Sequence, residues 1–479
     1  MKMQFLLSLL LLCLLHVHPT LSGRYLLLEH KALLSVKSSI TDDPQSALST
    51  WNASTSHCNW EGITCHPSRR RVTALKLVHL QLSGTLSPDL AHLSFLSELS
   101  FSLNQLSGAI PTELSSLSAL RILNLSNNEF NGSFPSQLSL LKNLQVLDLS
   151  HNRMTGDLPL AVTQMPDLRH LNLGGNDFSG RITSQFGQWK FLEFLDVSRN
   201  SLGGPIPLEI GNLTNLRELY IGYNMYEGGI PLEIWNLLEL VHFEASNCNL
   251  SGEIPPEIGN LVSLKSLDLS YNVFTGAIPE FIGDMPELEV LELLDNNFTG
   301  IIPQRLGKNG KLQYLDLSSN KLTGTLPPDM CFGNRLEHLY TEENLLFGPI
   351  PDSLGRCESL SEIRMGHNFL NGSMPSDLLG LPNLTNVELQ NNRLTGKFPI
   401  SSRIDSQLIS LDISDNKIHG ELPSWFWRLP HLQILNLSHN CLETVDVNLN
   451  SQTSQTGFNI LDLNSNQLQG QLSTLPLAF

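Results

Sequence analysis

The sequence predicts an α/β solenoid, a stack of short repeats whose strands form one continuous parallel sheet, closed at its N-terminal end by a disulfide-bonded cap. Three observations carry this expectation. The pattern Leu-x-x-Leu-x-Leu-x-x-Asn-x-Leu-x-Gly-x-Ile-Pro recurs along the chain. Its Asn keeps strict register, from Asn104, Asn128 and Asn152 through to Asn392, Asn416 and Asn440, each 24 residues after the last. Just before the first repeat, Cys58 and Cys65 sit in one short segment, His57-Cys58-Asn59-Trp60-Glu61-Gly62-Ile63-Thr64-Cys65.

The elements follow in chain order. Lys2 precedes an apolar run from Phe5 to Leu15, too short to span a bilayer but suited to the hydrophobic core of a secretory signal. Small residues at Thr20, Ser22 and Gly23 place cleavage just after Ser22 or Gly23, so residues 1–22 read as a signal peptide. No later stretch is apolar enough to cross a membrane, and no membrane insertion of the mature chain is expected. Residues 23–71 form the cap. In an oxidising compartment Cys58 and Cys65 pair and seal it, with Cys331 and Cys357 a candidate second pair.

Residues 72–479 carry about 17 repeats, beginning with a degenerate one at Leu80 and ending with one at Asn466 delayed by two residues. A single repeat cannot bury its own leucines, so neighbours stack, and Leu-x-Leu becomes a strand of a parallel sheet. The Asn side chain faces inward, where its amide satisfies backbone groups that burial would otherwise leave without partners. Cys248, at that position in one repeat, reads as a packing substitute rather than a reactive thiol. Gly permits unusual dihedrals on the return path, and Pro stops helical continuation there. No C-terminal cap is recognisable before Phe479, so the last strand is expected to present a bare edge.

Composition narrows the function. Forty-six acids against 29 bases give a net charge of −17, which repels phosphate backbones and excludes nucleic acid as a partner. Nine Asn-x-Ser/Thr sequons, at Asn52, Asn124, Asn131, Asn212, Asn249, Asn297, Asn371, Asn383 and Asn436, fit a glycosylated extracellular chain. No hydrolase, metalloprotease, nucleotide-binding or kinase motif is present, so neither an enzyme, a metal site nor a cofactor is expected.

Function is instead expected on the concave strand face, whose side chains alternate with the buried leucines. The position between the second and third Leu of each repeat is acidic in nine of 17 repeats and basic in two, so the groove carries negative potential. Aspartate here is a common filler that solvates the surface. Glu244 and Glu292 in this row, Arg364, and the aromatic Tyr220, Tyr223 and Tyr340 are the candidate ligand contacts, with Tyr314 a weaker one.

The Leu-x-Gly-x-Ile-Pro half of the repeat resembles plant extracellular leucine-rich-repeat receptors, and implies their right-handed superhelix. From Glu29 to about Pro399 the chain looks most like CLAVATA and barely-any-meristem type receptor-kinase ectodomains, through Ser68–Thr73, Leu216–Asn224 and Glu280–Leu291. From about Leu408 it resembles the kinase-less receptor-like proteins of plant defence, in Pro423–Pro430 and Leu461–Gly470. No membrane helix or kinase domain follows; a truncated receptor, a faulty gene model and a genuine soluble form are all compatible with that end. The resemblance implies a secreted, apoplastic or cell-surface protein that binds a short extracellular peptide or protein in developmental or defence signalling, with a co-receptor kinase ectodomain as a second partner. A soluble inhibitor of microbial cell-wall hydrolases, of the polygalacturonase-inhibiting type, and a nonfunctional truncated receptor are the alternatives. Such peptide receptors hold the peptide's C-terminal carboxylate with an Arg-x-Arg pair on one concave strand. The matching strand is Glu362-Ile363-Arg364, so only the second arginine is present, and Glu362 stands where the ligand carboxylate would arrive.

Overall fold

The computed structural model describes residues 21–398, 406–446 and 458–469, and the chain divides into two compact units, 1–203 and 204–479. The apolar run Phe5–Leu15 and the last residues, 470–479, lie outside the described residues. Ser22 and Gly23, expected to border the cleavage site, lie at the start of the helix Leu21–Ser39. No described helix is long and apolar enough to cross a membrane.

In the first unit, helix Leu21–Ser39 buries Glu29, Ala32, Leu33 and Val36, a three-and-four spacing that makes one inward stripe. Glu29 is fully buried, and its carboxylate accepts bonds from Arg71 Nε at 2.7 Å and the Val72 N–H at 3.1 Å. Burial raises its pKa, and those two partners work against the rise. Cys58 and Cys65 form the expected disulfide. The strand Ile63–Cys65 that ends on it runs antiparallel to Val72–Lys76 and covers the sheet edge that the first repeat would otherwise expose. Parallel strands follow at 24-residue steps, with Leu75, Leu99, Leu123, Leu147, Leu171 and Leu195 side by side.

The second unit repeats this geometry with a row of central residues Leu219, Phe243, Leu267, Leu291, Leu315, Leu339, Ile363, Val387, Leu411, Leu435 and Leu461. Each strand is three residues long, its middle side chain almost always buried and its flanking ones turned outward. The return path of most repeats is a single 3-10 turn entered through proline, as in Leu208–Asn212 after Pro207 and Leu232–Asn236 after Pro231. An α-helix needs a longer run than 24-residue spacing leaves here, so the helical part of each repeat is tighter. At Gly324 the backbone has φ +82°, and a Cβ would strike the Ile301 side chain, so no other residue fits without strain. A second disulfide joins Cys331 to Cys357 across neighbouring repeats.

Asn320 shows what the conserved register is for within this chain. Its Oδ1 accepts the Phe298 N–H at 3.0 Å, while Nδ2 donates to the carbonyls of Leu293, Leu317 and Ser318 at 2.9, 3.2 and 3.0 Å. The residue before each such Asn is left-handed, for example Ser319 at φ 52° and Tyr223 at φ 54°, which turns the amide inward. Where the Asn is replaced, its neighbour compensates. Asn272 Oδ1 accepts both the Cys248 and Leu250 N–H groups, and Asn104 does the same for Leu80 and Leu82. The residues after the substitutions, Gln81 and Asn249, are then left-handed as well. Cys248 is fully buried, and desolvation pushes its thiol up to about 12, which makes it a packing residue and not a nucleophile.

Candidate functional site

All seven residues expected to contact a ligand belong to the second unit, on or beside its strand face. The structure gathers three of them into one cluster. Tyr340 and Arg364 are register partners on adjacent strands, as are His338 and Glu362. The Glu362 carboxylate accepts the Tyr340 hydroxyl at 2.7 Å on one oxygen, and Arg364 Nε and Nη2 at 2.9 and 2.6 Å on the other. The guanidinium lies 5.2 Å from the centre of the Tyr340 ring, and its Nε is 3.8 Å from Glu388 on the next strand. Tyr314 packs edge-on against Tyr340 at 5.5 Å, and His338 Nδ1 is 3.2 Å from the Tyr340 hydroxyl.

The pair is only partly shielded from solvent, since the Glu362 side chain keeps 15% of its surface exposed and that of Arg364 40%. Burial works against the Glu362 charge, yet the hydrogen bonds from Tyr340 and Arg364 hold its carboxyl below the usual range. Burial likewise opposes the Arg364 cation, and Glu362 more than offsets it. Burial and the Glu362 hydrogen bond raise the Tyr340 phenol, which therefore stays a donor at neutral pH.

A second grouping lies on the same face. Glu244, Asp268, Glu292 and Asp316 are register neighbours on four successive strands. Glu244 is tied to the backbone N–H groups of Gly222 and Ser246, both at 3.1 Å, and to the Ser246 hydroxyl. Asp268 and Asp316 accept the N–H groups of Ser270 and Ser318, both at 2.9 Å. No described residue donates to the Glu292 carboxylate. Burial, then the charges of Asp268, Asp316 and Glu244, push its carboxyl up to about 7.

Of the remaining expected residues, Tyr220 is the register partner of Glu244 at the edge of the acidic row. Tyr220 donates to Glu218 of its own strand at 2.9 Å, and Tyr223 is an exposed residue in the left-handed turn after that strand. Sequence reasoning places Asp268, Asp316 and Glu388 in the concave row but reads the aspartates as filler and gives Glu388 no role, and it passes over His338 beside the Arg364 cluster and Tyr271, which is 49% exposed in the same left-handed position as Tyr223. The 24-residue register points to both of the latter, since His338 lies 24 residues before Glu362 and Tyr271 48 after Tyr223.

The sequons differ in the same terms. Asn52, Asn131, Asn212, Asn249, Asn371 and Asn383 are exposed, and Asn297 is half-buried with its Oδ1 held by Lys321 at 2.8 Å. Asn124 and Asn436 on the strand faces are half-buried, and Asn436 Nδ2 donates to Asp412 at 2.8 Å.

Comparison with known proteins agrees with this architecture. The leucine rich repeat N-terminal domain matches residues 28–66, a leucine-rich repeat region residues 77–230, and leucine rich repeats residues 239–261, 262–322 and 406–468. A probable LRR receptor-like serine/threonine-protein kinase of Arabidopsis thaliana is 45% identical over 76 residues, 16% of this chain and 8% of that protein. The receptor kinase-like protein Xa21 of Oryza sativa subsp. japonica is 46% identical over 79 residues, 15% of this chain and 8% of its own. These alignments thus span less than a tenth of the curated relatives. Among solved structures, the Arabidopsis receptor kinase HAESA ectodomain with an N-terminally extended IDA peptide hormone is similar at 28% identity, covering 93% of this chain and 86% of that one, with a TM-score of 0.74. The plant peptide hormone receptor RGFR1 in complex with RGF2 is similar at 29%, covering 86% and 76%, with a TM-score of 0.71. A TDR receptor is similar at 32%, covering 83% and 89%, with a TM-score of 0.54.

Proposed function

Because this chain belongs to the leucine-rich-repeat family and is homologous to plant receptor-kinase ectodomains, we propose that the strand face of its second unit binds a short, extended secreted peptide. The observation that carries the reading is Arg364, whose fork holds a carboxylate on that face with Tyr340 closing over it. An arginine fork matches a carboxylate in geometry and charge, whether the carboxylate is the chain's own or a peptide's. The HAESA and RGFR1 structures, each with a peptide hormone bound, support the ligand class. In this reading the chain acts outside the cell in developmental or defence signalling. A co-receptor ectodomain is its second partner, as in the complex of HAESA with IDA and SERK1.

A panel of plant peptide hormones including IDA and CLAVATA-related peptides, titrated by calorimetry into the glycosylated chain, tests the proposal. At least one is expected to bind at micromolar concentration or below, and to lose about tenfold in affinity with Arg364→Ala. No heat from any of them at high micromolar concentration would sink it.

A further inference from the structure

We propose that Asp268, Glu292 and Asp316 form a subsite for a cationic side chain, a guanidinium or ammonium group carried by the peptide. This rests on the reading that the strand face takes an extended peptide, and it names one chemical feature of that peptide.

Three carboxylates on adjacent strands, roughly 4.8 Å apart, repel one another unless something positive lies among them. Elsewhere on the face the chain supplies its own partner. Glu362 has Arg364, and Asp412 has the Asn436 amide and the Ser414 hydroxyl at 2.7 Å. Glu292, between Asp268 and Asp316, has no donor.

A second, independent observation points to a missing partner. Ser270 is 3% exposed, and its hydroxyl has no hydrogen-bond partner. Its backbone N–H donates to Asp268, so the hydroxyl stands beside that carboxylate. Two repeats earlier, at the same register position, a Cβ built on Gly222 would abut the Glu244 carboxylate of the following strand. Ser270 therefore points between Asp268 and Glu292. The corresponding hydroxyls of Ser150 and Ser198 close on the carboxylate two residues back at 2.7 Å, which the Ser270 hydroxyl does not do. An orphaned, buried hydroxyl is destabilising, and a bound group that completes the network removes that penalty. The exposed Tyr271 lies close enough to Asp268, Asp295 and Asp316 for their charges to raise its phenol beyond the effect of burial, and its ring offers a face to a cation.

A bare metal ion fits less well. Among the described residues, the group whose ligand atoms converge within 4.8 Å is His57, Cys58 and Cys65, and those two cysteines are already joined. The acidic row is spread along the strands instead, a spacing suited to the several N–H donors of a guanidinium or to an ammonium among them. The strand of Glu292 is three strands from that of Arg364, about 14 Å, so the cationic residue lies about four extended residues from the part of the peptide that passes Arg364.

The probes are acetylated, amidated tetraarginine and its neutral isostere tetracitrulline, titrated into the full glycosylated chain in low salt. Tetraarginine is expected to bind at least tenfold more tightly than tetracitrulline. Glu292→Gln should weaken tetraarginine five- to tenfold, Asp412→Asn should leave it within twofold, and millimolar calcium should not displace it. Equal binding of the two probes, no binding of tetraarginine, an equal loss from Asp412→Asn, or displacement by calcium would each overturn the subsite. A hormone that binds the wild type but ignores Glu292→Gln overturns this inference alone. Capture of tetraarginine at Glu292 with no hormone bound overturns the peptide reading alone.

Discussion

In the row that crosses the second unit's strands, Asp268, Glu292 and Asp316 stand in register with like charge. Three strands beyond Glu292, Arg364 closes on Glu362 and takes Tyr340 with it. The backbone is the same in both places, down to three-residue strands and a buried central side chain. The difference lies wholly in the outward side chains. Where a donor faces the carboxylate, burial is overcome and the charge is held; where another carboxylate faces it, burial and repulsion act together and the proton is kept to about pH 7. At the Arg364 cluster a ligand carboxylate has to compete with Glu362 for the arginine fork, whereas in the acidic row a cationic ligand group meets a carboxylate with no donor of its own.

The largest effect should come from removing the frame the two regions share. Asn320→Ala deletes the amide that joins Phe298, Leu293, Leu317 and Ser318, one strand past Glu292, and leaves the Phe298 N–H without an acceptor, while the three carbonyls keep the Asn296 amide, the Asn344 amide and the Asp295 N–H. A loss of about 2–4 kcal/mol is expected from the orphaned N–H together with the three lost hydrogen bonds. Chemical denaturation should show it, together with faster hydrogen exchange at the Phe298 amide. A loss under about 1 kcal/mol would mean that stacking of leucines, rather than the amide ladder, sets the strand spacing.

Next comes the Arg364 cluster. Glu362→Arg changes the pair's charge from zero to +2 and turns a closed clamp into two forks facing one point. A peptide with a free C-terminal carboxylate should then bind at least about tenfold more tightly, since a charge-assisted contact is worth roughly 1.5–3 kcal/mol. Amidating that carboxylate should remove most of the gain. An unchanged dissociation constant in calorimetry would show that the ligand does not end at this strand.

How far these regions could be read from the sequence follows the same division. The strand row, the inward Asn and the Cys58–Cys65 closure were legible because each is a register or spacing property, repeated until chance is excluded. The Glu362–Arg364 contact was legible too, since residues i and i+2 of a strand share a face. Tyr340 completing that contact was not foreseen, because its partner is 22 residues away and on the next strand. Nor was the isolation of Glu292. Aspartate in Leu-Asp-Leu-Ser reads as filler, and only the carboxylates on either side and the absence of a donor separate Glu292 from the self-capped acids. The 3-10 return was missed for a different reason. Pro and Gly mark where the chain turns, but not how tightly the five residues between turns are wound.

The smallest expected effect is also the sharpest test of the contrast, because it depends on sign. Glu292 has its pKa raised from 4.5 to about 7, by burial first and then by Asp268, Asp316 and Glu244. A carboxyl whose pKa is higher folded than unfolded contributes stability that is complete below the unfolded value and is lost as pH rises through the folded one. Stability should therefore fall between about pH 4.5 and 8 on account of this group. Glu244, Asp316 and Glu342, also raised by burial first, act in the same direction. Glu362 is lowered and acts the other way, losing its contribution only as pH falls below the ordinary carboxyl range. Glu292→Gln should leave the melting temperature unchanged at pH 4, where Glu292 is neutral in the folded and largely neutral in the unfolded chain, and raise it by roughly 1–3 °C at pH 8. A bound cationic peptide should cancel that advantage, because it stabilises the ionised wild-type carboxylate and has nothing to pair with in the amide. If the two proteins melt alike at pH 8, Glu292 is not held protonated by its neighbours, and the acidic row is solvated as freely as any surface aspartate.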